Sequence, residues 1–213
     1  TTMDFFNIHT HTLVYPESEI LSCSSGLPPT DPRIVYTSIG IHPWYLTEEN
    51  AETQWHTLQE QISDPSVIAI GEGGLDKLKG PSMDIQMKLL KQQALLSEEK
   101  RLPLILHCVK AFNELILLKK EIKPSQAWII HGFRGKEALA IDCLRHGFHL
   151  SFGEHFQEDA LQAVPLEKLF IETDESGTSI EAIYQSIAKV RGISLEELTE
   201  SVKKNVKEVF FKA

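Results

Sequence analysis

The chain has 213 residues, of which 42% are hydrophobic, and a formal net charge of −9. This length and apolar content suit one α/β domain with a substantial core, so we interpret residues 1–213 as a single domain. The acidic balance repels polyanions at long range, which excludes nucleic-acid binding by general electrostatic attraction, although bound divalent cations can supply positive charge locally.

The cysteines and the apolar segments indicate the compartment. Cys23, Cys108 and Cys143 form no CxxC pair, which fits a reducing environment better than a disulfide framework. The sequence contains no run of about 18 consecutive apolar residues, and its first residues lack the basic segment of a signal peptide. We therefore expect a cytoplasmic monomer without a membrane partner.

Runs of strand-forming residues alternate along the chain with segments of helical periodicity. The strand runs are 4–9, 34–40, 67–71, 102–107, 127–131, 148–152 and 168–173. The longest predicted helix covers 82–100, and a capping box at 194–197 opens the last helix. Residues 12–33 contain four prolines and are predicted to form an irregular loop. This alternation predicts a parallel sheet, either doubly wound or closed as a barrel.

Six side chains suited to metal binding lie where a strand run gives way to a loop: His9, His11, Glu72, His107, His131 and Asp174. His9 and His11 end the first run two residues apart, so both rings point to the same side of a strand. Histidine and carboxylate ligands predict one or two divalent ions, zinc or manganese before magnesium.

The positions of these ligands favour the closed sheet. They come from the ends of at least five strand runs, and a barrel directs many strand C-termini toward one centre. We therefore predict a TIM-type β/α barrel of the α/β class, with a metal site at the C-terminal ends of its strands. Either this barrel has only seven strands, or residues 12–33 hide a further element.

Six short motifs follow one another in the chain: NIHTH at 7–11, GIHP at 40–43, GEGGLD at 71–76, LPLILH at 102–107, HGFRG at 131–135 and ETD at 172–174. In this order they resemble the motifs of TatD-type metal-dependent DNases, a family of the amidohydrolase superfamily. The chain departs from the family pattern at Asn7, where Asp is usual, and at Gly73, where a bulky aliphatic residue is usual. Val109 stands where the family often has Arg, and the proline that commonly follows ETD is missing.

The resemblance implies that Glu72 bridges two ions. It further implies that His9, His11 and Asp174 complete the shell of one ion, and that His107 and His131 complete that of the other. Two such ions can activate a water and stabilise the oxygens of a phosphoryl displacement. Asp174 is in addition a candidate to accept a proton from the water.

Other candidates surround these ligands. His42 ends the second strand run, where it would contact the phosphoryl or departing oxygen of the substrate. Asn7, Asp76 and Glu172 are candidates to orient the ligands. For a phosphate contact, Arg134 is the first choice because a guanidinium binds phosphate through two hydrogen bonds, and Lys110 is a weaker choice.

Three functions follow from these residues. The leading hypothesis is a divalent-metal-dependent hydrolase of phosphodiester bonds, a TatD-like deoxyribonuclease acting on DNA or short nucleotide chains. The second is a hydrolase of small esters, lactones or amides on the same fold; many of these use a carbamylated lysine as a bridge, whereas His107 stands at the end of the 102–107 run here. The third is a non-catalytic metal-binding barrel, whose signature would be missing ligands.

Overall fold

The computed structural model of the protein describes residues 5–25 and 30–212. The chain forms two compact units, which we call the terminal unit, up to Leu21 and from Ile129 onward, and the central unit, Ser22–Trp128. Among the residues described, no helix has both the length and the apolar character that a membrane crossing requires.

From Tyr36 to Arg191, strands and α-helices alternate as the sequence pattern predicts. The strands are β1 (Asn7–Thr10), β2 (Glu19–Ser24), β3 (Tyr36–Gly40), β4 (Val67–Asp76), β5 (Leu104–Val109), β6 (Trp128–Ile130), β7 (His149–Phe152) and β8 (Leu169–Ile171). The helices are α1 (Ala51–Gln61), α2 (Met83–Lys100), α3 (Phe112–Ile122), α4 (Glu137–Arg145), α5 (Glu158–Ala163), α6 (Ile180–Arg191) and α7 (Leu195–Phe210). Short 3-10 turns cover Pro16–Ser18 and Leu166–Lys168.

In the terminal unit the strand pairs are parallel: β1 with β2, β6 with β7, and β7 with β8. A further parallel bridge joins Thr10 at the end of β1 to Asp174, three residues beyond the end of β8. Phe148, Phe170 and Tyr184 are fully buried in the core of this unit. The predicted N-cap of α7 is present, since the Ser194 hydroxyl accepts a hydrogen bond from the Glu197 amide at 3.0 Å.

In the central unit, β4 pairs in parallel with β3 on one side and with β5 on the other. The apolar stripe of α2 packs on β4, with Leu89, Leu90 and Ala94 buried. Parallel strands have their C-termini at the same edge of a sheet. His42, Asp76 and the C-terminal half of β5 with His107 therefore lie at the same end of this unit.

Of the two alternatives for the strand count, the second is correct: the 12–33 segment, predicted to be a loop, contains β2, which gives eight strands instead of seven. Ile20 in this strand is fully buried, and the Glu19 carboxylate accepts hydrogen bonds from the amides of Val14 (2.5 Å) and Tyr15 (2.8 Å). Two of the four prolines that indicated a loop, at 28 and 29, lie outside the described residues. Only a 3-10 turn connects β1 to β2, whereas parallel strands usually need a helical crossover of a dozen residues or more, so the alternation rule passed over β2.

Asn205 links α7 to the start of β8. Its side chain is only 3% exposed, and its amide donates to the carbonyls of Leu166 at 2.7 Å and Leu169 at 2.9 Å. Asn205→Leu would leave these carbonyls without their donor, and we expect the free energy of unfolding to fall by about 1–3 kcal/mol in chemical denaturation. Asn113→Leu, at an exposed position of α3, is the matched control, and equal stability of the two variants would contradict the prediction.

Candidate functional site

The first group of candidate ligands lies in the terminal unit, at the end of β1 and after β6 and β8. The Nε2 atoms of His9 and His11 are 3.2 and 3.1 Å from the same Asp174 oxygen, Oδ1. The ring of His131 lies 4.2 Å from that of His9, centroid to centroid. Ligand atoms of His9, His131, Glu172 and Asp174 all lie within 4.8 Å of one another, close enough to share one ion. The resemblance assigned His9 and His131 to different ions, whereas this unit brings the two rings together.

Main-chain bonds place Asp174 beside the two histidines of β1. Its amide donates to the His9 carbonyl at 2.9 Å, and its carbonyl accepts from the His11 amide at 3.3 Å. Its φ is 55°, a left-handed backbone that non-glycine residues adopt uncommonly and mostly when Asn or Asp. The bridge therefore continues the sheet past β8 just far enough to bring this carboxylate to the imidazoles.

Asn7 fastens the same two segments from the opposite end of β1. Its Nδ2 donates to the Thr173 hydroxyl at 2.8 Å, and its Oδ1 accepts from the amides of His9 and Thr173, each at 3.2 Å. An aspartate, the usual residue of the family, would keep the acceptor but lose the amide donor. With asparagine at position 7, the side chain both donates to and accepts from Thr173, and it thereby holds β1 against the segment that carries Asp174.

The Asp174 carboxylate is ionised at neutral pH. Burial raises the pKa of this group, but the adjoining His11 and His9 rings lower it by more, and the net pKa lies well below the ordinary value for aspartate. An ionised carboxylate is the form that binds a divalent metal.

Glu172 turns the His131 ring. This carboxylate is fully buried; its Oε2 lies 3.1 Å from His131 Nδ1, and its Oε1 accepts from the Gly132 amide at 2.8 Å. Because Nδ1 faces a carboxylate, Nε2 is the His131 nitrogen that would serve as a metal ligand. Glu172 is therefore placed to orient a ligand.

Glu172→Gln tests this arrangement. A glutamine that turned its NH₂ toward Nδ1 would put the ring proton on Nε2, the ligand atom, so we expect zinc or manganese affinity to fall by about 10–100-fold. Isothermal titration of metal-free protein measures this change, with Glu167→Gln, an exposed carboxylate on the 3-10 turn before β8, as control. Unchanged affinity in Glu172→Gln would contradict the orienting role.

The second group of candidate ligands lies in the central unit and comprises His42, Glu72 and His107. Their ligand atoms all lie within 4.8 Å of one another. The Glu72 Oε1 is 3.1 Å from His42 Nε2 and 3.6 Å from His107 Nδ1, and the carboxylate is buried. A buried carboxylate is costly unless it is paired or bound to a metal, and Glu72 with the two neighbouring rings is a second candidate cation site.

His42 is set up as a hydrogen-bond donor. Its Nδ1 accepts from the Trp44 amide at 3.0 Å, so in the neutral ring the proton is on Nε2 and is donated to Glu72. A neutral imidazole that bound a metal through Nε2 would need its proton on Nδ1. His42 is therefore better placed to donate to an oxygen than to ligate, which suits the contact with a phosphoryl oxygen that the sequence suggested.

Asp76 holds the His107 ring and the loop after β4 together. Its Oδ2 is 2.8 Å from His107 Nε2, so Nδ1 is the nitrogen that faces Glu72. The same oxygen accepts from Trp44 Nε1 at 2.7 Å, and Oδ1 accepts from the amides of Leu78 and Lys79. Burial raises the pKa of Asp76, but these hydrogen bonds, His107 first, lower it by more.

Gly73 makes room for a buried amide. A Cβ at this position would lie 2.7 Å from Oε1 of Gln93, a side chain of α2 that is itself buried. This Oε1 accepts from the Ile41 amide at 2.9 Å, and the Gln93 Nε2 donates to the Leu89 carbonyl. The missing aliphatic side chain at Gly73 therefore lets Gln93 fix the main chain one residue before His42.

The predicted phosphate contacts, Arg134 and Lys110, are both exposed in the loops after β6 and β5. Hydrogen bonds from Ser176 and Thr178 lower the pKa of Glu154, and the positive charge of Arg134 lowers it further. Exposure at a strand C-terminus is what a substrate contact requires, and these two residues remain candidates.

Sequence reasoning missed Trp44. Its ring lies 4.9 Å from the ring of His42 and 5.4 Å from that of His107. The available signal was its position, since a large aromatic residue follows His42 and Pro43 directly, in the loop after a predicted strand.

Comparison with known proteins places this geometry in a family. The sequence profile described as TatD related DNase matches residues 27–211. The chain is 29% identical over 202 residues to the uncharacterized metal-dependent hydrolase YabD of Bacillus subtilis, covering 83% of this chain and 77% of that protein. It is 28% identical over 203 residues to the 3'-5' ssDNA/RNA exonuclease TatD of Erwinia amylovora, covering 82% and 78%.

Solved structures agree on the fold. The Escherichia coli TatD homologue YjjV superposes with a TM-score of 0.79 at 20% identity, covering 99% of each chain. The phosphotriesterase homology protein of Escherichia coli, complexed with phosphate in its active site, gives a TM-score of 0.71 at 12% identity, covering 90% of this chain and 83% of that one. The predicted TIM-type β/α barrel is confirmed, with eight strands instead of seven.

Proposed function

This chain belongs to the family of TatD-related DNases and is a metal-dependent hydrolase of phosphodiester bonds, and we propose that it cleaves single-stranded DNA or short nucleotide chains, with each of its two ligand groups holding one divalent ion. The substrate class follows that of the Erwinia relative, which is named for exonuclease activity on single-stranded DNA and RNA.

One observation carries the proposal: two histidines are each oriented by a buried carboxylate. Asp76 lies 2.8 Å from one nitrogen of His107, and Glu172 lies 3.1 Å from one nitrogen of His131. In each case the carboxylate faces one ring nitrogen, and we assign the other nitrogen to the metal. Carboxylate–histidine pairs of this kind are typical of metal sites, because they fix both the tautomer and the direction of the ring.

We assign His9, His11, His131 and Asp174 to the ion of the terminal unit, and Glu72 and His107 to that of the central unit. Their chemistry favours zinc or manganese over magnesium, since four of these six ligands are imidazoles. Ions held by these residues would lower the pKa of water and stabilise negative charge on the phosphoryl oxygens.

The protein's own groups complete the reaction. Asp174 accepts a hydrogen bond from the attacking water and takes up its proton. With substrate bound, His42 donates its Nε2 proton in a hydrogen bond to a phosphoryl or departing oxygen instead of to Glu72, and Arg134 and Lys110 bind the flanking phosphates. We propose these roles for one chain acting as a single-domain monomer.

We also propose that the protein works in the cytoplasm. In the described part of the chain Cys23, Cys108 and Cys143 form no disulfide bond, which fits a reducing compartment. Burial raises the pKa of Cys23 to about 11 and that of Cys143 to about 12, so these two thiols are inert at neutral pH.

Metal removal tests the proposal. We expect chelation to abolish hydrolysis of bis-p-nitrophenyl phosphate and of a short single-stranded DNA, and readdition of manganese or zinc to restore both. The readouts are p-nitrophenolate absorbance and gel analysis of the oligonucleotide, with circular dichroism to show that the metal-free protein stays folded. If the folded, metal-loaded protein cleaves neither substrate, the nuclease proposal fails, and esters, lactones and amides are tested next.

A further inference from the structure

Four exposed side chains form what we call the aromatic rim of the central unit: Trp44, Tyr45, Leu78 and Lys79. Trp44 is 40% exposed, Tyr45 59% and Leu78 69%. The Trp44 and Tyr45 rings lie 4.9 and 5.4 Å from the ring of His42. Exposed aromatic and apolar side chains next to a group of ionisable side chains are typical of a binding site.

The Trp44 ring is held in place although part of it is exposed. Its indole Nε1 donates to Asp76 at 2.7 Å, and its plane stands nearly perpendicular to the His107 ring, at 76° and 5.4 Å. The Asp76 carboxylate that fixes the indole also fixes the His107 ligand. A side chain already fixed before binding loses little conformational entropy when a ligand stacks on it.

Lys79 adds positive charge to the rim. Its ammonium lies 4.0 Å from the centroid of the Trp44 ring, and its amide donates to Asp76 Oδ1 at 3.1 Å. In a chain of net charge −9, a lysine fixed on an exposed aromatic ring is a local site for an anion. The rim therefore offers an aromatic ring and a cation. A nucleotide carries the matching groups, an aromatic base and an anionic phosphate.

We propose that the aromatic rim is a subsite for one nucleotide of the substrate, adjoining the scissile bond: its base stacks on the Trp44–Tyr45 side of the rim, and its phosphate meets the ammonium of Lys79. The base is then unpaired, so the occupant is single-stranded nucleic acid. This inference rests on the proposed phosphodiesterase function and adds recognition of the base to it.

A purely structural role for Trp44 is the rival explanation, because its hydrogen bond to Asp76 supports His107. Two substrates with the same leaving group separate these roles: the p-nitrophenyl ester of thymidine 5′-phosphate, which carries a base, and methyl p-nitrophenyl phosphate, which does not. In both, water attacks phosphorus and p-nitrophenolate departs. A defect in the ligand group slows both substrates alike, whereas loss of stacking slows only the nucleoside ester.

The measured quantity is the ratio of kcat/KM for the nucleoside ester to that for the methyl ester. Stacking of a base on an aromatic side chain changes binding by about 1–3 kcal/mol, so we expect Trp44→Ala to lower this ratio by about ten-fold. Trp44→Phe, which keeps a ring but loses the Nε1 donor, should retain most of the ratio. A ratio equal to wild type in Trp44→Ala would overturn the base subsite.

Lys79→Met tests the phosphate contact. We expect a higher KM and a weaker salt dependence for a short single-stranded DNA, because one charge contact to the backbone is lost. Lys91→Met is the matched control, since Lys91 is an exposed lysine of α2 that pairs with Glu121. Identical KM and salt dependence in the two lysine variants would contradict the assignment of Lys79.

Isothermal titration calorimetry measures binding at the rim independently of turnover. We expect wild type to bind thymidine 5′-phosphate about ten-fold more tightly than methyl phosphate, and Trp44→Ala to bind the two with similar affinity. If wild type hydrolyses neither ester, the proposed function fails; if it hydrolyses both while Trp44→Ala leaves the kinetic ratio and the binding preference unchanged, only the base subsite fails.

Discussion

Asp174→Asn is expected to lower kcat for phosphodiester hydrolysis by about 10²–10⁴-fold, the range that a positioned acid or base contributes. The substitution keeps the size of the side chain and replaces one carboxylate oxygen with an amide. The Oδ1 of Asp174 lies 3.2 and 3.1 Å from the Nε2 atoms of His9 and His11. The substitution therefore removes a negative charge from the centre of the terminal ligand group.

The measurement is the initial rate with bis-p-nitrophenyl phosphate at saturating manganese. Saturating metal matters, because an asparagine is also a weaker ligand, and a defect that more metal repairs would indicate ligation alone. Asp84→Asn, an exposed aspartate in the first turn of α2, is the matched control and should keep wild-type kcat. A kcat within two-fold of wild type in Asp174→Asn would rule out the roles assigned to this carboxylate.

Glu72→Gln is expected to have the next largest effect, a loss of about 10²–10³-fold in kcat, comparable to the removal of one electrostatic contact at a reaction centre. Glu72 is buried, accepts a hydrogen bond from His42 at 3.1 Å and lies 3.6 Å from Nδ1 of His107. A glutamine fills the same space, but it carries no charge to balance a cation.

Metal content separates the effects of this substitution. We expect Glu72→Gln to retain less metal than wild type after dialysis against metal-free buffer, as measured by elemental analysis, and to keep its circular dichroism spectrum. Glu99→Gln, an exposed carboxylate near the end of α2, should match wild type in both metal content and rate. Full metal content together with full activity in Glu72→Gln would remove this residue from the ligand set.

Most of the candidate ligands could be predicted from the residues at the ends of the strand runs. Candidate ligands were found because a polar residue after a buried apolar run is rare without a function, and this reasoning needs no long-range information. It placed His9 and His107 near the ends of β1 and β5, but it ended the strand of Glu72 too early, since β4 runs on to Asp76. It did not predict that Asp174 continues the sheet through a bridge to Thr10, because such a contact joins residues far apart in the chain.

Features that depend on tertiary contacts were missed. β2 is a strand because it pairs with β1 and because Glu19 binds the amides of the preceding loop; its sequence, between prolines, has no strong strand pattern. The place of Trp44 depends in the same way on Asp76, a residue 32 positions away. Local propensity does not encode either partner.

The contact between Gly73 and Gln93 makes two distant positions interdependent. A side chain at position 73 would force Gln93 to shift, since the new Cβ would lie 2.7 Å from its amide oxygen, the atom that holds the Ile41 amide. A smaller residue at 93 would open that space and at the same time release the Ile41 amide. The two substitutions therefore have non-additive effects, and grafting a bulky aliphatic residue from a relative into position 73 requires a compensating exchange on α2.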